Sequence, residues 1–299
     1  MRHPVGMVKR GSMLVLIFLF IPFSPAEDFF FDSAGVKIHY VIEGKGEPVL
    51  LIHGFLADLQ DNWGRPGIIK ALSDTFQVIA IDNRGHGKSD KPHNPDAYGI
   101  NMMEDSIRLL DHLKIRKAHV VGYSMGGVIT LEIVTRHPER VHAAVMGGAG
   151  WNPPGQSIQP MMKTLADSLE QGNLEPLIVG LTPAGTPKPT PEQVQTINRS
   201  FLASGKDMLA MAAVARNFPP DAMEAQVRSN RIPVLAVVGG KDPMKPEVDK
   251  LDGLMPNVKV LVIPKADHGT AFSNPEFIKN LKSFLLEHSA ADAGEGLKK

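Results

Sequence analysis

Five stretches of this chain, "FQVIAID", "AHVVGYS", "RVHAAVMGG", "PVLAVVGG" and "VKVLVIP", are runs of Val, Ile, Leu and Ala without polar alternation. A strand with one face in water alternates apolar and polar residues, so continuous runs of this kind mark strands covered on both faces, as in a parallel sheet. Helical material or a long insertion separates each run from the next. "INMMEDSIRLLDHLKI" places Ile100, Met103, Ile107, Leu110 and Leu113 on one face of an amphipathic helix, and "NPEFIKNLKSFLLEH" opens at an Asn-Pro cap. Upstream, "DFFFDSAGVKIHYVIEGKGEPVLLIHG" holds three β-rich runs broken at residues 33–35 and 44–48, which predicts two hairpin-joined strands and a third. The expected fold is α/β: eight mostly parallel strands with helices on both faces.

Residues 151–231 break this rhythm with ten prolines, helical stretches and no strong strand signal. They predict a helical cap inserted between a first core part (27–150) and a second (232–288). Residues 289–299, ending in "AADAGEGLKK", read as a disordered tail. The first 26 residues read as a secretory signal: Arg2, Lys9 and Arg10, then "MLVLIFLFIPF", then small residues at Ser24 and Ala26. The apolar stretch is short for a membrane span, which needs roughly 18 residues. A retained anchor is the alternative. Zero cysteines exclude disulfides, and 32 basic against 32 acidic residues leave no field to attract nucleic acid. These features predict export to a bacterial periplasm or exterior, no nucleic-acid partner and no stable membrane association after cleavage. A monomer or weak homo-oligomer is expected.

One serine stands where the run of residues 118–123 gives way to a helical pattern. Gly122-Tyr123-Ser124-Met125-Gly126 is a G-x-S-x-G pattern, which chance alone yields roughly 0.1 times in a chain of this composition. Strand before and helix after are the setting of a nucleophile elbow, where a sharp turn holds the serine and the flanking glycines Gly122 and Gly126 let backbones approach. A plain helix N-cap is the bland alternative. A serine hydroxyl needs a base, and the base needs an orienting carboxylate. Asp242 follows the run "PVLAVVGG" and His268 follows "VKVLVIP", at the strand ends where open α/β sheets carry their sites. His119, His137 and His288 are strand-internal, beside a helix-ending proline and near the frayed end. Asp267 reads as loop structure.

Backbone N–H groups of Phe55 and Met125 are candidates for an oxyanion hole, with Gly54 tightening the turn before Phe55. His53 is expected to bond loop backbone. In "IDNRGHGKSDKP" a phosphate loop would need glycine where Asp82 stands, so Asp82 and Arg84 are expected to tie the loop by ion pairing and backbone hydrogen bonds. No histidine spacing suggests a metal, and no cofactor is implied.

"HGF", "DNRGHGKSD", "GYSMGG", "GGKDP" and "DHGT" together resemble the α/β-hydrolase superfamily, in its cap-bearing esterase, haloperoxidase-like and C–C-hydrolase neighbourhood. The resemblance spans residues 28–150 and 230–288. It implies Ser124 as nucleophile, Asp242 as acid, His268 as base, and Phe55 and Met125 as oxyanion-hole residues. Dehalogenases and epoxide hydrolases of this fold use Asp where Ser124 stands. Epoxide hydrolases also use cap tyrosines, whereas Tyr40, Tyr98 and Tyr123 all lie outside 151–231. C–C hydrolases usually follow their first H-G with a Gly-Pro-rich segment, and here "FLADLQDNW" stands instead. The expected activity is cleavage of small or medium apolar carboxylic esters. A C–C hydrolase, a cofactor-free perhydrolase and a non-enzymatic small-molecule receptor are the alternatives. Met161, Met162, Leu165, Phe201, Met208 and Met211 form an apolar cap set, most of it expected to pack the cap onto the body.

N-terminal sequencing of protein recovered from the expressing cell tests export. The expected mature chain begins at Glu27, and an intact Met1 on soluble cytoplasmic protein overturns it.

Overall fold

In the computed structural model, the structure describes residues 27–153 and 156–289. The expected signal segment and residues 290–299 of the expected tail lie outside them. The chain runs β1 (Asp28–Ser33), β2 (Val36–Glu43), β3 (Glu47–Ile52), α1 (Ile68–Ser73), β4 (Phe76–Ile81), α2 (Ile100–His112), β5 (Ala118–Tyr123), α3 (Met125–Arg136) and β6 (Val141–Gly147). Then come α4 (Gln159–Glu170), α5 (Glu175–Gly180), α6 (Pro191–Ala203), α7 (Met208–Arg216) and α8 (Glu224–Ser229), followed by β7 (Val234–Gly239), α9 (Lys245–Asp249), β8 (Val258–Ile263) and α10 (Pro275–Glu287).

The strands form one eight-stranded sheet in the order β1-β2-β4-β3-β5-β6-β7-β8. β2 pairs antiparallel with both β1 and β4, and the remaining neighbours are parallel. The runs of β4, β5, β6 and β7 bury both faces because alternate residues point to opposite sides of the sheet. The run of β8, expected to be covered on both faces, is only half-buried because it stands at the sheet edge. Leu50, Ile79, Val120 and Ala236 join α2, α3 and the α4–α8 insertion in one core. Val49, Val78, Val121 and Val237 join α1 and α10 in the other. No helix among the described residues is long and apolar enough to cross a membrane.

Five described helices lie between β6 and β7, and residues of α4 and α5 line one space with Ser124 and His268, which follow β5 and β8. α4 buries Met162, Leu165, Ala166 and Leu169, and α7 buries the run from Ala210 to Ala215, so the two helices pack as a pair. α6 begins at a capping box: Thr190 Oγ1 accepts from Gln193 N, and Gln193 Oε1 accepts from Thr190 N.

The loop after β4 is fastened as expected, by ion pairs and backbone hydrogen bonds of Asp82 and Arg84, each with partners outside the loop as well as within it. The Arg84 guanidinium reaches α2, donating from Nε and Nη2 to the two oxygens of Asp105 at 2.6 Å each, while Ser33 Oγ donates to Asp105 at 2.5 Å. Both partners are buried. Bidentate geometry offsets the desolvation of each charge only while both are present. Asp105→Ala is therefore expected to lower the unfolding free energy by about 3–5 kcal/mol, read as a fall in the urea midpoint at unchanged slope. A loss under about 1 kcal/mol, the range of exposed pairs, rejects this account.

Candidate active site

Ser124 sits between β5 and α3 with φ 54° and ψ −119°, a left-handed backbone that costs a non-glycine residue energy. The turn persists because its neighbours are too close for anything larger. A Cβ at Gly122 would stand 2.0 Å from the Gly126 carbonyl oxygen, and one at Gly126 would stand 2.0 Å from the Ile52 carbonyl oxygen. Neither contact leaves room for a methyl group. Ser124 N–H donates to Gly147 O at 2.7 Å, and its carbonyl accepts from Gly127 N and Val128 N. Backbone bonds thus anchor the residue on both sides and leave its hydroxyl directed off the sheet.

That hydroxyl meets His268. Ser124 Oγ and His268 Nε2 are 3.0 Å apart, and His268 Nδ1 lies 2.9 and 3.1 Å from the two Asp242 oxygens. Asp242 is buried in the turn after β7, and Oδ1 also accepts from Met244 N at 2.8 Å. An ionised Asp242 accepts from Nδ1–H, which leaves Nε2 with its lone pair toward the serine. The loop carrying His268 is held by Tyr123, the variable residue inside the serine motif. Its phenol donates to the His268 carbonyl at 2.6 Å. Burial, with the charges of Asp242 and Asp267, pushes that phenol well above its ordinary range, so it stays protonated and donates. Asp267 lies in the same loop, where Oδ1 accepts from Thr270 Oγ1.

Beside the serine, a methyl group added at Gly54 would stand 3.2 Å from Ser124 Cβ. The next residue is Phe55. Among the described residues, neither Phe55 N–H nor Met125 N–H has a hydrogen-bond acceptor. The groups flanking Phe55 N–H are all engaged. Gly54 N donates to Asn62 Oδ1 at 2.7 Å, His53 Nδ1 bonds Gly54 O at 2.8 Å, and Leu56 N donates to His86 Nε2 at 3.3 Å. His53 therefore bonds loop backbone, accepting also from Asn83 N at 3.0 Å. Burial pushes both imidazoles down, His86 to about 3 with help from His53, so each is neutral and can accept at Nε2. Asp82 lies behind them. Burial pushes it up, but the hydrogen bond to His39 at 2.7 Å and the amides of Leu59 and Lys88 outweigh that and bring it to about 2.

The cavity containing Ser124 and His268 has a volume of about 220 Å³. Phe55, Met161, Met162, Leu165, Phe218 and Phe272 are among the residues that line it, and among the described residues no Asp, Glu, Lys or Arg does. Of the six insertion residues singled out in the sequence, Met161, Met162 and Leu165 reach this cavity, whereas Phe201, Met208 and Met211 do not. Met211 is buried on α7 itself, and Phe201 lines a second space beside α5. Sequence reasoning passed over Asn62, His86 and the Tyr123 hydroxyl. Asn62 and His86 sit in segments whose motifs were read for other reasons, and only the fold brings them to residues 53–56.

A family model described as alpha/beta hydrolase fold matches residues 47–275. The chain belongs to the α/β-hydrolase fold family. Within it, the chain is 32% identical over 251 residues to the dihydrolipoyllysine-residue acetyltransferase component of acetoin cleaving system of Pseudomonas putida, covering 81% of this chain and 64% of that one. The chain thus spans less than two thirds of that relative's length. It is 27% identical to a putative 2-succinyl-6-hydroxy-2,4-cyclohexadiene-1-carboxylate synthase of Bacillus subtilis, over 85% of this chain and 96% of the other. Among solved α/β-hydrolase structures, a thermophilic esterase from Thermogutta terrifontis superposes with a TM-score of 0.70 at 24% identity, covering 88% of this chain and all of the other.

The buried acceptor of His86 gives a stability test. His86→Leu leaves Leu56 N–H buried without a partner and is expected to cost about 1–3 kcal/mol. His86→Gln, which retains an acceptor, should recover part of that loss in urea titrations. Equal stability of His86→Leu and wild type contradicts the assignment.

Proposed function

We propose that this chain is a serine hydrolase of carboxylic esters, working through Ser124, His268 and Asp242. The observation that carries the reading is the 3.0 Å contact between Ser124 Oγ and His268 Nε2 beside two unpaired main-chain amides. In this mechanism His268 Nε2 takes the hydroxyl proton as Ser124 Oγ attacks the acyl carbon. The carbonyl oxygen becomes an oxyanion, held by the Phe55 and Met125 N–H groups. His268 then returns the proton to the departing alkoxide, leaving an acyl-Ser124 ester. Water deprotonated by His268 attacks that ester, and the carboxylic acid leaves as Ser124 regains its proton. Asp242 fixes the imidazole tautomer and stabilises its charged form.

The cavity wall selects the substrate class. An apolar lining without a charged side chain favours neutral, apolar acyl groups. A ligand bearing its own carboxylate, such as the compound that the Bacillus relative is named for making, would bury that charge without a cation at a cost of several kcal/mol. A neutral ester carries no such penalty, and this difference ranks ester hydrolysis above carbon–carbon cleavage of acidic substrates. We further propose export from the cytoplasm, on the basic and apolar pattern of residues 1–26.

Rapid mixing with p-nitrophenyl butanoate tests the reading. Wild type is expected to release a burst of p-nitrophenol, and Ser124→Ala to lose at least about 10⁴-fold in kcat. Unchanged turnover in Ser124→Ala, or no turnover of any neutral ester by wild type, rejects it.

A further inference from the structure

α5 is an apolar helix whose Leu177 and Ile178 are only half-buried against the core. Its sequence, Glu-Pro-Leu-Ile-Val-Gly, carries Leu177, Ile178 and Val179, yet none of its residues is buried. A surface helix ordinarily buries an apolar stripe against the body. Here open space lies on both sides. The Ser124 cavity is one side. On the other, between α5 and α6, is a second cavity of about 320 Å³ walled by Leu174, Ile178, Ile197 and Phe201. The two share a partition, since Phe55, Ala57, Leu177 and Leu181 line both. Ile197, which lines both this space and a neighbouring groove, remains 43% exposed among the described residues. Asp61 and Lys206 also line the second cavity, their charges paired with each other at 2.9 Å between Lys206 Nζ and Asp61 Oδ2.

Apolar surface left uncovered on a wall continuous with a reactive serine is surface that an apolar ligand removes from water. We infer that the second cavity is a distal subsite for an unbranched aliphatic chain. With the ester carbon at Ser124, the chain passes Phe55 and Leu177 and ends between α5 and α6. This rests on the esterase reading and narrows it from apolar esters in general to medium- and long-chain aliphatic ones. A chain is favoured over a fused ring system because the two cavities lie on opposite sides of the Leu177–Leu181 partition. A flexible aliphatic chain can turn around that partition.

The test is a chain-length series of p-nitrophenyl esters from butanoate to dodecanoate, on wild type, Ile197→Trp and Leu202→Trp. Ile197→Trp fills the distal cavity from an exposed position of α6. Leu202→Trp adds the same bulk to the same helix at a position lining neither cavity. In wild type, kcat/KM is expected to rise up to about fourfold for each methylene buried. Ile197→Trp is expected to lower the dodecanoate-to-butanoate ratio at least tenfold, while Leu202→Trp keeps the wild-type ratio. An unchanged ratio in Ile197→Trp, an equal fall in Leu202→Trp, or a flat wild-type series overturns the subsite. A flat series with real turnover leaves the esterase reading standing. Calorimetry on Ser124→Ala separates the two ideas without chemistry, using 2-hexanone and 2-dodecanone as uncleavable ligands. Tighter binding of the longer ketone, lost at least tenfold on adding Ile197→Trp, keeps the subsite even where no ester is turned over. Equal binding of both ketones removes it.

Discussion

Three backbones meet beside Ser124: the end of β3, the end of β5 and the first turn of α3. The Ile52 carbonyl occupies the place where a side chain at position 126 would begin, and the Gly126 carbonyl does the same at position 122. This approach fixes the direction in which α3 leaves the sheet and forces the left-handed backbone at Ser124. It also fixes the neighbourhood. With β3 against β5, residues 54 and 55 lie next to the serine, and β6 supplies Gly147 O to hold its amide. The strain is local, and the bonds around it are main-chain bonds that every parallel neighbour helps to maintain.

Around this turn the protein spends buried polar groups on loops rather than on the sheet. Residues 53–62 carry few backbone bonds of their own, so His53, Asn62, His86 and Asp82 satisfy them from the side. Such a network is stable only when each member is paired and correctly protonated, because an unpaired polar group in a dry interior costs more than a paired one gains. Two neutral imidazoles and one ionised carboxylate meet that requirement. Arg84 and Asp105 do equivalent work one layer out, tying the loop after β4 to α2 and to Ser33 at the end of β1. The insertion obeys a different logic. α4 and α7 are well buried, whereas α5 is left as a thin wall between two apolar spaces.

Much of this was legible in the residues. Continuous apolar runs marked the parallel strands, because only two-sided burial removes the polar alternation. That Ser124, Asp242 and His268 come together was legible because each follows such a run, and a sheet gathers its strand ends at one edge. Other details were not. Asp82 and Arg84 stand two residues apart with opposite charge, yet their side chains leave the loop in different directions, to His39 and to Asp105. Composition could not divide the methionines either. Met161 and Met162 are adjacent and both reach the cavity, while Met211 of the same chemical type is buried elsewhere. Which apolar residues face a cavity depends on helix rotation and packing partners, and neither is written in a local pattern.

By itself the sequence determined the alternation of strand and helix and the glycine spacing around Ser124, because steric exclusion and two-sided burial act on residues within a few positions of each other. It also determined which three side chains stand at strand ends. Tertiary structure alone decided that His86 accepts from Leu56, that Tyr123 holds the carbonyl of His268, and that α5 has a cavity on each side. Those outcomes depend on groups 30 and 145 residues apart in the chain, or on space between helices. Distances of that kind are set by how whole layers pack, after every local preference has been met.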